Sequence, residues 1–452
     1  MAKRASVTSG VNVIGVLSTG TGFGSAGRST LRTLAARNIA HVAVDLALSG
    51  HHIVEPMPDS ARKLDSLAAL PHAASVFQLS PDAFDVMVLR WTQHSGLDLT
   101  PTVNAIVPFW ELPQLPAKWI PLLQLFDVVL APTAFVRDAI TASMPEELRP
   151  ILLDYPQAIA APAAVAPDRP RWFGDHADRT VFLSTFDIRA DIERKNPWAA
   201  IEAFQRAFPG RDDAALVVKV SNASTPRHAD QFARLSQLAT ADARITLMTE
   251  HLSREALASL SASADVYVSL HRAEGLGFGM MEAMAVGTPV VATGWSGNVD
   301  FMDESNSIPV PYTVVPMAGT TQDLYAAESH QSWADPDIDA AADALRSLAD
   351  SPELRHRLGG AAKRSMQARW ERQSEPGVFD ELLALAASGL ADTGQHAARV
   401  DAATRYVRKQ ALAPSSVMAS AKRGGVKVLR RAGIKPPAPA DEYQWGPPEI
   451  LT

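Results

Sequence analysis

The sequence predicts an α/β protein built from two successive open parallel sheets, each flanked by helices. Short β-branched runs alternate with helical patterns from the start of the chain. The alternation stops in an Ala- and Pro-rich stretch, residues 158–171, and restarts at about Thr180. That stretch is typical of an interdomain linker. At 452 residues the chain is long enough for two large domains and an appendage. Such a pair holds its ligand in the cleft between the domains, beyond the carboxyl ends of the strands.

The individual elements follow from the same patterns. In the first half we expect strands at residues 11–17, 41–46, 103–107 and 127–130, with helices at about 29–37 and from 134. In the second half we expect strands at 181–184, 216–220, 245–247, 266–270 and from 289, with helices at 198–208, 254–261 and 280–285. A helix at about 378–390 closes the globular part, and the rest is expected to be extended.

The composition excludes several classes of protein. There is no cysteine, so disulfide frameworks, thiolate metal sites and cysteine nucleophiles are all excluded. A reducing, cytoplasmic location is the natural expectation. No apolar run approaches the 18 or so residues that a membrane-spanning helix needs. The apolar run 11–17 lacks a cleavage site, so it is predicted to be a first strand and not a signal peptide.

The formal charge of −7 is unevenly distributed. Between Arg399 and Lys435 there are ten basic residues and one acidic residue. This basic tail can be a solvated extension or a patch for the anionic inner face of a membrane. Nucleic-acid binding is less favoured, because the only interleaved aromatic residue is Tyr406.

The most informative stretch is residues 266–300, VYVSLHRAEGLGFGMMEAMAVGTPVVATGWSGNVD. A strand ends before His271, and a loop containing Gly275, Gly277 and Gly279 leads into a helix. A strand, a glycine loop and a helix N-terminus form an anion site, because free amides and the helix dipole converge there.

Glu274 lies in this loop, and Glu282 is expected in the first turn of the helix. Both carboxylates can therefore face one cleft while touching different ends of a ligand. Carboxylates accept hydrogen bonds from paired hydroxyl groups, so the pattern fits a sugar at one end of a phosphate group and a ribose at the other.

The motif E-G-x-G-F-G-x-x-E-A-M-A-x-G-T-P-V-V-A-T resembles the donor-binding signature of glycosyltransferase family 4, the retaining enzymes of the GT-B fold. Other segments resemble bacterial polysaccharide-type members of that family: VNVIGVLSTGTGFGSAGRSTLRTL, VPFWELPQLPAKW, APTAFVRDAI, FDIRADIERKNPWAAIEAFQRAF and TGWSGNVDFMDESNSIPVPY. The resemblance covers about residues 11–390. It implies two Rossmann-like domains facing across a cleft: an acceptor domain at 1–172, a donor domain at 173–376, a closing helix at 377–398 and a basic, Pro-rich tail at 399–452.

The resemblance also implies roles for single residues. Glu274 would contact the transferred sugar and Glu282 would hold the nucleotide ribose. Backbone amides at Gly277, Phe278 and Gly279 would meet the sugar or its diphosphate. Ser296 and Asn298 complete the implied donor-binding set, and residues 249–252 form the expected base-contacting loop.

Family members usually hold the diphosphate with an Arg and a Lys from the start of the second domain. Here Arg194 and Lys195 are the candidates, and a strand end adds Lys219. Cations at that point stabilise the negative charge that develops on the departing diphosphate. Thr185 and Phe186 occupy the place where the commonest pattern has its Arg. The alternative is that Arg194 and Lys195 form a solvated turn.

Near the N-terminus, Gly22, Gly24 and Gly27 have the spacing G-x-G-x-x-G after a predicted strand. With Asp45 as the expected acidic partner, this pattern permits a dinucleotide-binding oxidoreductase. The family resemblance instead brings the glycine loop to the donor phosphates or to the acceptor.

The FWEL segment offers Trp110 and Glu111 after a predicted strand. Many relatives have a histidine near this point, and here Glu111 is the polar substitute. We expect Glu111 to orient the donor sugar or the acceptor hydroxyl, with Trp110 as a stacking surface. A purely structural role for the pair is the alternative.

Together these features imply a retaining enzyme that moves a hexosyl unit from a nucleotide-sugar to a hydroxyl of a glycan or glycolipid in cell-surface polysaccharide assembly. No cofactor and no metal are expected, and nucleic acid is not an expected partner. The expected location is cytoplasmic, with the inner face of the membrane as a peripheral site. The alternatives are a sugar-nucleotide epimerase, a phosphorylase with a pyridoxal-bearing lysine, and a silent nucleotide-sugar-binding subunit.

Overall fold

The computed structural model describes residues 7–46, 55–59, 61–64, 70–85, 99–160, 165–320, 323–373 and 375–411. Within these residues a seven-stranded sheet is followed along the chain by a six-stranded sheet and a two-stranded one. The two larger sheets are parallel throughout. The predicted fold class, two α/β domains with parallel sheets, is confirmed. Most of the predicted tail, residues 412–452, lies outside the described residues.

The first sheet belongs to the N-terminal domain. Its strands are β1 (Thr8–Gly15), β2 (His41–Asp45), β3 (Arg62–Leu64), β4 (His72–Gln78), β5 (Val103–Ile106), β6 (Val128–Ala131) and β7 (Ile151–Asp154). They pair in the order β3-β2-β1-β4-β5-β6-β7. The described helices of this domain are α1 (Gly22–Ala36), α2 (Pro81–Ala83), α3 (Ile120–Leu123) and α4 (Ala134–Ser143). Strands β5 and β6 are buried along their whole length, as expected for a parallel sheet covered on both faces.

Helix α1 begins at Gly22, earlier than the predicted start near residue 29. Thr21 caps it, because its side-chain oxygen accepts a hydrogen bond from the Gly24 amide at 3.3 Å. A Cβ atom at Gly24 or Gly27 would overlap Thr19 or Leu17, respectively. These glycines therefore belong to the first turns of the helix, where close packing requires them, and not to a loop.

The second sheet begins after helix α5 (Arg169–Phe173). Its strands are β8 (Thr180–Asp187), β9 (Ala214–Ser221), β10 (Ile245–Met248), β11 (Val266–Ser269), β12 (Val290–Thr293) and β13 (Ile308–Val310), paired in the order β10-β9-β8-β11-β12-β13. Strands β14 (Tyr312–Pro316) and β15 (Ser332–Pro336) form the antiparallel pair. The helices are α6 (Ile192–Lys195), α7 (Pro197–Ala207), α8 (Ala229–Thr240), α9 (Arg254–Ser263), α10 (Phe278–Val286), α11 (Asp323–Ala326) and α12 (Ile338–Asp350). The strands predicted for this half are present, with shifts at their ends.

Helix α10 starts at Phe278 because Gly277, with φ of +99°, turns the chain into the helix. Glu282 is the fifth helical residue, so it lies in the second turn. The prediction that it lies in the first turn is wrong. Since residues i and i+4 share a helix face, Glu282 lies one turn below the N-terminal Phe278.

The last three helices return the chain to the N-terminal domain. They are α13 (Pro352–Gln373), α14 (Val378–Ala387) and α15 (Gly394–Ala411). Phe379 and Leu382 of α14 are buried in the core beside β1, β4 and β5. In α15, His396 Nδ1 lies 2.9 Å from Asp127 Oδ2, and both side chains are buried. The helix predicted at about 378–390 is present as α14, but the chain after it, which was expected to be extended, forms α15. The predicted closing segment 377–398 therefore contains parts of two helices, and the basic segment from Arg399 begins inside the second. Among the described helices, none combines the length and apolar character needed to cross a membrane.

Candidate active site

A cluster of opposite charges lies where β11 ends, centred on Glu274. The Glu274 carboxylate forms an ion pair with the Lys195 ammonium and lies 3.4 Å from the nearest Arg194 nitrogen. Burial alone would raise the pKa of Glu274. The positive charges of Lys195 and Arg194 outweigh burial and lower that pKa to about 2. Glu274 is therefore an anion at every pH at which the protein is expected to work.

Arg194 lies at the centre of this cluster and is almost fully buried. Its Nη1 donates to Ala273 O at 2.7 Å, and its Nη2 donates to Ala190 O at 2.9 Å. Burial opposes the guanidinium charge, but Tyr325, Glu111 and Glu274 raise the Arg194 pKa above its usual value. Arg194 is thus held by backbone carbonyls, whereas the Lys195 side chain is 21% exposed and is the more accessible cation.

Glu111 reaches the same cluster from the N-terminal domain. One of its oxygens lies 3.8 Å from Arg194 Nη2, and the other accepts a hydrogen bond of 2.7 Å from the Tyr325 hydroxyl. Trp110 is 1% exposed, and its ring stacks on Tyr325 with a centroid distance of 5.6 Å. The predicted sugar-stacking surface at Trp110 is therefore wrong for this structure, because its ring is packed in the core.

The loop after β12 forms hydrogen bonds with the backbone of Glu274. Ser296 Oγ accepts a hydrogen bond of 2.8 Å from the Glu274 amide, and the Gly297 amide donates to Glu274 O at 2.8 Å. Asn298 Nδ2 donates to Thr293 O at 2.9 Å, and its Oδ1 lies 3.1 Å from His271 Nε2. In this structure the side chains of Ser296 and Asn298 hold the loop together.

The close contact at Gly297 gives a prediction. A Cβ atom there would overlap Gly275 O and lie 2.8 Å from Leu276 N. Both are backbone atoms, so moving either of them costs free energy. We expect Gly297→Ala to destabilise the protein by about 1–3 kcal/mol and to lower activity by displacing Glu274. Chemical denaturation measures the first effect. Gly394→Ala is the control, since its Cβ meets nothing within 4 Å. Equal stability of the two variants would contradict this account of the loop.

Two helix N-termini face each other across the cleft. Gly22 starts α1 and lies close to Phe278, which starts α10: a Cβ at Gly22 would be 3.6 Å from the Phe278 ring. The first amides of each helix have no partner within the helix. Gly279 packs against Tyr267, where any side chain would collide with the hydroxyl group. The absence of side chains at Gly24 and Gly279 lets Thr19 and Tyr267 pack against the two helix starts, and at Gly22 the nearest group is the Phe278 ring.

Glu282 lies at the other end of this cleft, among arginines of both domains. Arg254 Nη2 is 3.5 Å from Glu282 Oε1, and Arg254 Nη1 donates to Ser25 Oγ at 3.2 Å. Burial raises the pKa of Glu282, an effect that Arg254 and Arg28 oppose and Glu55 reinforces. Arg28 is fixed by hydrogen bonds of 2.7 Å to Leu17 O and Thr19 O. Burial, assisted by Arg254, lowers the Arg28 pKa to about 10.

Lys219 is near the site but deeper in the protein. It pairs in register with Thr185 across β8 and β9, and Thr185 Oγ1 lies 2.8 Å from the Tyr267 hydroxyl. Lys219 Nζ donates to Ser221 Oγ at 2.9 Å, and burial lowers its pKa, although Asp187 and Glu250 act in the opposite direction.

The structure thus brings together Arg194, Lys195, Glu274 and Glu111 at one end of the cleft and brings Glu282 to the other end, with the glycine amides between them. Sequence reasoning missed Tyr325 and Arg254. Neither residue lies in a recognisable motif, and each meets its partner only through the fold. Within the described residues, no group of three His, Asp or Glu side chains is arranged to hold a metal ion.

Two solved structures show that the fold is the GT-B fold. Anabaena HepE in complex with UDP and glucose has a TM-score of 0.55 and 13% identity, with 85% of this chain and 100% of HepE covered. The E. coli trehalose-6-phosphate structure bound with UDP-2-fluoro glucose has a TM-score of 0.53 and 11% identity, with 85% and 99% covered. The match to S. aureus TarM has a TM-score of 0.45 and 12% identity, and it covers 67% of this chain and 55% of TarM.

A family model described as "Family 4 Glycosyltransferase in conflict systems" matches residues 136–370, just over half of the chain. The chain belongs to this family, and it is a glycosyltransferase. The resemblance to glycosyltransferase family 4 is confirmed. No curated protein is significantly similar in sequence.

Proposed function

We propose that the protein transfers a hexosyl unit, with retention of configuration, from a nucleoside-diphosphate sugar to a hydroxyl group of a glycan or glycolipid. The observation that carries this proposal is the Lys195–Glu274–Arg194 cluster beside two facing, glycine-bearing helix N-termini. One end of the cleft presents cations, free amides and a buried carboxylate, and the other presents Glu282. A diphosphate flanked by two hydroxyl-bearing groups fits this arrangement: the cations and amides match the diphosphate, and the two carboxylates match the hydroxyl-bearing groups.

The diphosphate would lie between the N-termini of α1 and α10. The Gly22 amide on one side, and the amides at Gly277, Phe278 and Gly279 on the other, would donate to its oxygens. A contact with the Gly24 amide would require that amide to leave the Thr21 hydroxyl group. Lys195 is the more accessible cation at this point, whereas Arg194 already donates to two backbone carbonyls. We therefore assign the phosphate contact to Lys195 and the positioning of Glu274 to Arg194. Lys219, bonded to Ser221, is a more distant source of positive charge.

The two glutamates would bind the two ends of the donor. Glu274 is an anion held in place through its own amide by Ser296, so it can accept hydrogen bonds from sugar hydroxyls. Glu282 would exchange its contact with Arg254 for the ribose hydroxyls. Loop residues 249–252, between β10 and α9, would contact the base. HepE with UDP and glucose, and the E. coli structure with UDP-2-fluoro glucose, support a nucleotide-sugar donor.

The chemistry follows from the charges. The acceptor oxygen attacks the anomeric carbon from the face that the diphosphate leaves, and the bond from that carbon to the phosphate oxygen breaks. The departing phosphate oxygen takes the proton of the acceptor hydroxyl. Lys195 and the helix amides stabilise the negative charge on the leaving group, so we propose that no metal is required. Glu111, bonded to Tyr325, would orient the acceptor hydroxyl or the donor sugar.

For the cellular setting, we propose a cytoplasmic enzyme of cell-surface polysaccharide assembly. The basic residues 399–435 would add a peripheral contact with an anionic membrane, where each Lys or Arg contributes about 1 kcal/mol. Cosedimentation with phosphatidylglycerol vesicles that does not exceed cosedimentation with neutral vesicles would contradict the membrane contact.

Nucleotide binding tests the donor site. Thermal shifts would be recorded with UDP, GDP, ADP and their hexose conjugates, with and without Mg²⁺. One nucleotide at about 100 times its Kd is expected to stabilise the wild type by about 2.7 kcal/mol, with or without the metal. Glu282→Ala is expected to lose this shift, because the ribose loses its acceptor. Glu255→Ala, an exposed glutamate on α9, is the control and is expected to keep it. An unchanged thermal shift in Glu282→Ala would contradict the assignment of Glu282 to the ribose.

A further inference from the structure

A second cavity, of about 320 Å³, lies at the junction of the two domains, away from the donor cleft. It is lined by the C-terminal end of α1, by the chain after β7, by the last turn of α13 and by the start of α14. At 1.5 Å per residue, Thr33 in this lining is roughly 16 Å along α1 from Gly22 at the cleft. None of the residues proposed to bind the donor lines this cavity.

The buried charge in the lining is positive. Arg369 is 7% exposed, and it donates from Nε to Gln157 O at 2.9 Å and from Nη1 to Asp300 O at 3.3 Å. Its Nη2 has no hydrogen-bond partner, and Arg369 forms no ion pair, among the described residues. A buried donor left without a partner costs free energy and calls for a ligand or water.

A second guanidinium, that of Arg372, is near the first. Arg369 and Arg372 are three residues apart on α13, so they share one face of the helix. Burial lowers the pKa of Arg369, Asp300 raises it, and the charge of Arg372 lowers it further. Two like charges on one face are stabilised by an anion placed between them.

Among the described residues, no carboxylate of the lining forms an ion pair with Arg369 or Arg372. Asp154 is bound to Arg137 at 2.7 Å, and the remaining lining cation, Arg37, is bound to Asp380 at 2.6 Å. Glu375 and Glu381 are exposed. The lining therefore combines one buried guanidinium, that of Arg369, with the exposed guanidinium of Arg372 and with exposed carboxylates.

We propose that this cavity binds a small phosphate monoester, with the phosphate on Arg369 and Arg372 and polar groups of the ester near Glu375 and Glu381. The volume lies at the lower end of the range for ligand pockets. It suits a molecule of the size of a monosaccharide phosphate and is too small for a nucleotide-sugar. Because Thr33 and Arg37 come from the N-terminal domain and α13 continues the second, the ligand would touch both domains.

Isothermal titration of the full chain tests the proposal, with glucose 6-phosphate as the probe and glucose as its unphosphorylated match. The wild type is expected to bind the probe and not glucose. Arg372→Gln, an exposed substitution, is expected to weaken binding at least about tenfold through loss of charge-assisted hydrogen bonds. Arg364→Gln, also exposed on α13 but outside the cavity, is expected to bind like the wild type.

Lys195→Ala separates this cavity from the donor cleft, and it is expected to leave the probe's affinity unchanged. The proposal is overturned if the wild type does not bind the probe, if Arg372→Gln binds as tightly as Arg364→Gln, or if Lys195→Ala abolishes binding. Because the readout is binding of a phosphate ester, it is independent of the donor and acceptor proposed above.

Discussion

Lys195→Ala is expected to lower kcat of the transfer reaction by about 10²–10³-fold, the size of effect seen when one charge-stabilising donor is removed from an active site. Lys195 is the accessible cation of the cluster, and its ammonium group touches the Glu274 carboxylate. Without it, the departing diphosphate loses its closest positive charge. Arg194 cannot replace it, because its guanidinium is committed to Ala273 O and Ala190 O.

Steady-state kinetics of nucleoside-diphosphate release measures this effect. Lys363→Ala, an exposed lysine on α13, is the matched control and is expected to keep wild-type turnover. A change confined to KM, with kcat retained in Lys195→Ala, would show that the lysine binds substrate without stabilising the transition state.

Arg194→Ala is expected to have the largest effect on stability, about 3–5 kcal/mol, because it removes one partner from a buried group of charges. Glu274 would keep only Lys195, and Glu111 would keep only the Tyr325 hydroxyl. Two backbone carbonyls would also lose their donors. Activity is expected to fall with the loss of Glu274 positioning, even where the variant is still folded.

Urea denaturation measures the change in the free energy of unfolding. Arg206→Ala is the matched control: this arginine is exposed, and it pairs with Glu202 and Asp339 on the surface, so its loss is expected to leave stability almost unchanged. Arg194→Lys is expected to recover part of the stability, because it keeps the charge but not the forked geometry. A denaturation midpoint for Arg194→Ala equal to that of Arg206→Ala would contradict the central role of Arg194.

The second domain was the more predictable half, because its site is local in sequence. Glu274 lies in the loop that follows β11, and the glycines that precede α10 are within a few residues of it. A strand end, a loop and a helix start that are contiguous along the chain must lie close together in the fold. The sequence therefore predicts the anion site at Gly277 and Gly279 without any knowledge of long-range contacts.

The remainder of the site depends on contacts between distant segments. Tyr325 meets Glu111, and Arg254 meets Ser25, across the two domains. No periodicity or spacing encodes such pairs, so they could not be predicted. The prediction for Trp110 failed for the same reason. As an aromatic residue after a strand, it was expected to face the cleft, but stacking on the distant Tyr325 buries it.

The start of α1 shows how tertiary packing changes a local prediction. Glycines are poor helix formers, so Gly22, Gly24 and Gly27 favoured a loop. The helix nevertheless includes them: Thr21 caps it, and Thr19 and Leu17 pack where side chains at Gly24 and Gly27 would lie. Tertiary contact outweighed a propensity that costs about 1 kcal/mol for each glycine.

The most direct test of the central claim is nucleoside-diphosphate release from a panel of UDP-, GDP- and ADP-hexoses, with EDTA present and water as the only acceptor. The wild type is expected to consume one of these donors slowly, and Lys195→Ala is expected to do so at least about 100-fold more slowly. Binding of a nucleotide-sugar with no release of its diphosphate would instead identify a silent binding subunit. Binding of a nicotinamide dinucleotide with no response to any of the sugar donors would contradict the account altogether.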